Sequence, residues 1–212
     1  MNRLVVRQAA AGLGRWLLDC EASGDIPDAA NRGVVIAHDA RRKSDLFAED
    51  TCRVLAAMGI RSMLHPGVQP TPVLAWSITG MNAAAGVVVT ASHNPPADNG
   101  YKVYLETGSQ IVSPIDSDIA ERIGQFDPLS VELAPADHPL IRARFPAALI
   151  QSIPGADHWL HHSAAEAFRE FRQRNRRQPR WGLREVPAGE HQHSGSCGNH
   201  WLSVRLSSLL CL

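Results

Sequence analysis

Apolar positions in the first two-thirds of the chain follow two alternating rhythms. Val6, Ala9, Ala10, Leu13, Trp16, Leu17 and Cys20 fall three or four residues apart, the spacing of one helix face. Gly33 to Ala37 is a short unbroken apolar run, as expected of a strand buried on both faces. Ser44 then reads as a helix N-cap, with Asp45, Glu49 and Asp50 suiting the positive end of a helix dipole. Phe47, Thr51, Val54, Leu55 and Met58 form the inner stripe of that helix, and Gly59 is its natural stop. Ile60 to Leu64 predicts a second strand, Thr71 to Thr79 a short helix, and Ala85 to Val89 a third strand. Asn99-Gly100 suits a tight turn with positive φ that folds Tyr101 to Tyr104 back as a fourth strand. Pro114 to Phe126 predicts a helix, with Ile115, Ile119 and Ile123 four apart.

Strand and helix therefore alternate, the order of a sheet covered on both faces. The hairpin after residue 90 requires an antiparallel pair, so the expected fold is a three-layer α/β/α domain with a mixed, mostly parallel sheet. Leu129 to Ala148 is rich in proline and mixed charge, and a linker with one helix is expected there. The organisation that follows is a first domain over 1–150 and a linker with a poorly structured tail over 151–212.

Composition narrows the function classes. Apolar residues make up 44% of the 212, enough for a packed core, and formal net charge is zero. That balance makes no electrostatic case for nucleic acid or an anionic membrane. Uninterrupted apolar runs fall short of the roughly 18 residues of a membrane span. Arg7, Arg15 and Asp19 break any signal-peptide core; the absence of acids before Asp19 also fits a transit peptide, but a helix belonging to the fold is the simpler reading. Cys20, Cys52, Cys197 and Cys211 show neither metal spacing nor a disulfide framework. Reduced thiols and a cytoplasmic location are expected.

The third strand runs into thirteen residues that carry the chemistry, Thr90-Ala91-Ser92-His93-Asn94-Pro95-Pro96-Ala97-Asp98-Asn99-Gly100-Tyr101-Lys102. Open α/β sheets bind ligands at the carboxyl ends of their strands, where this loop begins. A serine hydroxyl needs a neighbouring base, cation or metal to act as a nucleophile. His93 can donate a hydrogen bond or positive charge beside a phosphate, and the hairpin returns Lys102 towards Ser92 for acid/base or electrostatic work. Pro95 keeps Asn94 out of the helical region and the loop extended. A Ser-His pair alone is more often an ordinary loop feature than a catalytic one. A serine-hydrolase elbow would read Gly-x-Ser-x-Gly, which Thr90-Ala91-Ser92-His93-Asn94 does not.

The full string resembles the phosphoserine loop of the α-D-phosphohexomutases, the phosphoglucomutase/phosphomannomutase family. Met1 to Leu18 looks like that family's first-domain helix. His38 to Asp45 resembles its Asp-x-Arg-x-x-Ser segment, and Pro70-Thr71-Pro72 its proline-rich turn. The resemblance covers about residues 1 to 150. It implies a phosphoserine at Ser92 that exchanges phosphate with hexose 1- and 6-phosphates of glucose or mannose through a hexose bisphosphate. It implies His93 and Lys102 as catalytic partners, Asn94 and Arg41 at the substrate, and Mg²⁺ bound partly through the Ser92 phosphate. Arg41 has a second reading, as an exposed surface arginine. The family's Gly-Thr-x-Gly-x-Arg-Gly segment, its Asp-Gly-Asp-x-Asp-Arg metal loop and its sugar- and phosphate-binding loops do not occur in these 212 residues. The isolated polypeptide is therefore expected to be inactive as a mutase. A noncatalytic α/β fragment is the alternative.

Beyond residue 150 the composition changes. Arg169 to Arg184 holds seven arginines and one glutamate. His191, His193, Cys197 and His200 follow with no standard metal spacing. An extension without fixed structure or a stretch read out of frame fits this tail, and an arginine-rich nucleic-acid arm is the competing reading.

Overall fold

The computed structural model describes residues 1–142, except His93 and Pro96. The expectations for residues 143–212, including the tail and its histidines, lie outside the described residues. Five helices and five strands are described: α1 (Arg3–Ser23), α2 (Ala29–Arg32), β1 (Val34–His38), α3 (Ser44–Ala57), β2 (Ser62–Leu64), α4 (Thr71–Gly80), β3 (Ala85–Val89), β4 (Tyr101–Leu105), α5 (Ile115–Ile123) and β5 (Ile141–Arg142). The sheet order is β4-β3-β1-β2-β5. All neighbours are parallel except β3 and β4, which pair antiparallel from Ala85↔Leu105 to Val89↔Tyr101.

The pleat sends alternate residues to opposite faces. Val34 and Ile36 of β1, with Val87, Val89, Tyr101 and Val103, pack under α1, α3 and α5. Val35 and Ala37, with Val88 and Tyr104, pack under α4. Three layers result. The apolar stripe of α1 is buried from Val6 to Leu17, matching its three-and-four spacing. A β-carbon on Gly12 would lie 2.8 Å from the Ile123 backbone, so the close crossing of α1 and α5 requires a residue without one. α1 is also tied to α3. Arg3 grips the fully buried Asp50 carboxylate with two hydrogen bonds of 2.7 Å, and Arg7 adds a third at 3.2 Å. Burial alone would raise the Asp50 pKa, but the two guanidinium groups outweigh it and hold the carboxyl below its ordinary range.

Three local expectations are corrected. Ser44 is the first residue of α3 rather than its cap; Lys43 takes the cap position with φ 69°, and the Ser44 hydroxyl donates to Asp39 Oδ1 at 2.7 Å instead. Gly100 does not carry a positive φ. Its need for glycine is steric, because a β-carbon there would sit 2.6 Å from the Thr90 carbonyl oxygen. The described part of the expected linker forms no helix. Phe126, Val131 and Leu133 lie against Ala10, Ala11 and Val54, Ala134 exchanges hydrogen bonds with Arg53, and Ile141 then joins β2 as an edge strand. Prolines at 128, 135 and 139 remove helical donors from this stretch. Among the described residues no helix is long and apolar enough to cross a membrane.

Candidate active site

β3 is buried throughout, and Thr90 and Ala91 remain buried after it. Ser92 is the first exposed residue of this path. The sheet thus delivers one hydroxyl to solvent at the carboxyl edge, where β1 also ends. Ser92 adopts φ 46°, a left-handed conformation that L residues rarely hold. Its N–H donates to Thr90 Oγ1 at 3.2 Å. Backbone outliers of this kind gather at functional sites.

Lys102 reaches Ser92 from the neighbouring strand. Its register partner is Val88, and the alternation of β4 places it on the α4 side with Tyr104. From there its Nζ donates to Ser92 Oγ at 3.1 Å. Ten residues separate the two in sequence, and the hairpin closes that gap. Asn94 is exposed, and its N–H donates to the Ala91 carbonyl at 2.9 Å. His93 lies outside the described residues.

The loop after β1 supports this arrangement from below. Asp39 Oδ1 accepts from the Arg41 N–H at 3.0 Å and from the Ser44 hydroxyl. Ser44 Oγ in turn accepts from the Asn99 side-chain amide at 2.9 Å, and that amide also donates to the Arg42 carbonyl. The Arg41 guanidinium pairs with Asp39 and turns towards the carbonyls of the Ser92 loop. Arg41 is therefore not a free surface side chain. Asp39, Ser44, Thr90 and Asn99 escaped the sequence reading as site residues. Their signal was the step of two and three from Asp39 to Arg41 to Ser44 immediately after a strand, the spacing of an Asx-type turn leading into a helix.

Tyr101 and Tyr104 pack the hairpin from opposite faces. The Tyr101 hydroxyl is fully buried without a hydrogen-bond partner among the described residues, and burial raises its pKa. Neither thiol described is poised to react: burial raises Cys20 and pushes Cys52 up to about 12.

The described residues do not make up a Mg²⁺ site. Among them no group of three His, Cys, Asp or Glu side chains converges, and the nearby Asp39 carboxylate is already occupied by Arg41 and Ser44.

Helices on both faces of a mixed, mostly parallel sheet make an α/β/α domain, and at the carboxyl edge of that sheet Lys102 meets Ser92. The family model described as "Phosphoglucomutase/phosphomannomutase, alpha/beta/alpha domain I" matches residues 1–128, and the chain belongs to that family of phosphomutases, which are isomerases of carbohydrate metabolism. It is 49% identical over 126 residues to a probable phosphomannomutase of Haemophilus influenzae, covering 58% of this chain and 24% of that one. It is 38% identical over 129 residues to the glucose 1,6-bisphosphate synthase of Homo sapiens and 36% identical over 129 to the human phosphopentomutase, covering 58% of this chain and 20% of each. The chain spans a quarter or less of the length of these relatives. A phosphoglucomutase/phosphomannomutase family protein of Burkholderia thailandensis shares the fold, with TM-score 0.50 and 24% identity over 68% of this chain and 29% of that one.

Proposed function

We propose that Ser92 is the phosphoryl carrier of this domain, taking phosphate from a hexose bisphosphate and returning it to a hexose 1- or 6-phosphate of glucose or mannose. The observation that carries this reading is the 3.1 Å contact from Lys102 Nζ to an exposed Ser92 Oγ. When phosphoserine gives up its phosphoryl group, the Oγ–P bond breaks and Oγ is the leaving oxygen. The Lys102 ammonium is placed to supply its proton and to offset its developing charge. In the reverse direction Oγ attacks phosphorus and the same proton returns to the lysine. His93 is proposed to stabilise charge on the transferring group, and Asn94 to contact substrate at the exposed rim.

Phosphoryl transfer depends on in-line positioning and charge neutralisation. Mg²⁺ in this family would supply part of the latter, held in part by the Ser92 phosphate, and the described side chains do not complete its site. The 212-residue polypeptide alone is accordingly proposed to lack mutase turnover.

Incubation with glucose 1,6-bisphosphate, followed by intact mass and peptide mapping, tests the carrier. One added phosphate on Ser92, absent from Ser92→Ala, is expected; an unmodified Ser92 would overturn the reading. A coupled assay with glucose 1-phosphate tests the second part, and turnover of about 1 s⁻¹ or faster, within the ordinary enzyme range, would refute it.

A further inference from the structure

A guanidinium carries five N–H donors in a fixed plane. In Arg41 the four N–H groups on Nη1 and Nη2 are hydrogen-bonded and Nε is ion-paired. Nε pairs with Asp39 Oδ2 at 3.0 Å. Nη1 donates to the carbonyls of Pro95 at 2.6 Å and Asp98 at 3.2 Å. Nη2 donates to the carbonyls of Ser92 at 2.9 Å and Asn94 at 3.0 Å. The side chain is only 15% exposed. Neither Nη has an N–H left for a sugar phosphate while the loop holds this form, and Nε faces the Asp39 carboxylate.

We propose that Arg41 is a positioning residue: it clamps the Ser92 loop by its carbonyls and does not itself bind substrate. The proposal rests on the reading of Ser92 as phosphoryl carrier and adds what holds that carrier in place. The loop needs such a clamp. Ser92 holds a disfavoured φ, and Pro95 and Pro96 remove two backbone donors that could otherwise tie the loop down. Apart from the Thr90 N–H to Gly100 bond at its base, the described backbone N–H bonds within the loop are Ser92 to Thr90, Asn94 to Ala91 and Asp98 to Pro95. Four carbonyls drawn onto one planar fork fix the chain from Ser92 to Asp98, on the C-terminal side of the hydroxyl, while the Ser92 N–H to Thr90 Oγ1 bond ties the other side, and together they keep Oγ within reach of Lys102. Asp39 sets the plane of the fork, since its other oxygen is held by the Arg41 N–H and the Ser44 hydroxyl. A lysine has the charge but only three donors on one atom, and cannot span this set.

Hydrogen exchange read by peptide mass on the whole chain tests the clamp. In Arg41→Ala and Arg41→Lys, peptides across residues 91–99 should exchange about tenfold faster or more, while those of β1 and β3 stay as in the native chain. Guanidinium ion below denaturing concentration should slow the loop of Arg41→Ala again, and methylammonium at the same concentration should not. Phosphate uptake at Ser92 from glucose 1,6-bisphosphate should also fall about tenfold or more in Arg41→Lys. Unchanged loop exchange in both variants, acceleration spread evenly over the domain, or equal rescue by methylammonium would each overturn the clamp. A native chain that takes up no phosphate yet shows the Arg41-dependent exchange would overturn the carrier reading and leave the clamp standing.

Discussion

Lys102 and Ser92 meet at 3.1 Å because β4 runs antiparallel to β3, with Lys102 opposite Val88. The contact is made at the solvent edge of the sheet, by a half-buried side chain. Removing the amine should therefore affect chemistry more than folding. Lys102→Ala is expected to slow phosphate uptake by Ser92 about 100-fold, a common size for the loss of a positioned acid or base. Its unfolding free energy should stay within about 0.5 kcal/mol of the native chain. A time course of phosphopeptide formation checks the first figure and urea denaturation the second. An unchanged rate would remove Lys102 from the proposed chemistry.

Gly100 closes the same loop from the other end. A β-carbon would press to 2.6 Å on the Thr90 carbonyl oxygen, a backbone atom with little room to yield because the Thr90 N–H is bonded to the Gly100 carbonyl at 3.1 Å. Gly100→Ala should lower stability by about 2 kcal/mol, in the range of overpacked sites. It should also speed hydrogen exchange at Thr90 and Ala91. A denaturation midpoint equal to that of the native chain would contradict this packing argument.

His65 gives the fold a dependence on pH. It is 3% exposed beneath α4, and its Nε2 meets Ser77 Oγ at 2.9 Å. The Ser77 hydroxyl donates to the Val73 carbonyl at 2.8 Å, so the imidazole is the donor in this pair. Burial lowers the pKa from 6.5 to about 4. Between those values the unfolded chain binds the proton more readily than the folded one, so stability falls as pH drops through that window. The loss should reach roughly 3 kcal/mol by pH 4. Urea midpoints from pH 7 to 4, compared with His65→Gln, measure it. Equal slopes for the two proteins would show that this histidine does not set the dependence.

Much of the fold was legible because parallel strands buried on both faces are spelled as unbroken apolar runs. Val34 to Ala37 and Ala85 to Val89 needed no tertiary information to be read as strands. The stripe from Val6 to Leu17 was equally plain. β5 was missed because two residues at a sheet edge have no periodicity to detect. At the site, Ser92 and Lys102 could be joined from the hairpin spacing alone. The acceptors of Arg41 could not be read, since carbonyls are common to every residue and leave no mark in the amino-acid string. The left-handed Ser92 was hidden for a related reason: the neighbouring Asn99-Gly100 offered a more familiar place for positive φ. What excludes other residues at Gly100 is the nearness of a second stretch of backbone, which only the folded chain reveals.

The strict alternation of β4 carries one more consequence. Tyr101 and Val103 point into the α1 side, and Lys102 between them points the other way. Adding or deleting a single residue between Ser92 and Tyr101, if absorbed by sliding the strand one notch, would reverse every side chain of β4. An aromatic or aliphatic group would then stand beneath the hydroxyl, and the ammonium would be driven into the apolar interior. Length variation in this loop is thus open only in even steps, or in changes that leave the strand where it is.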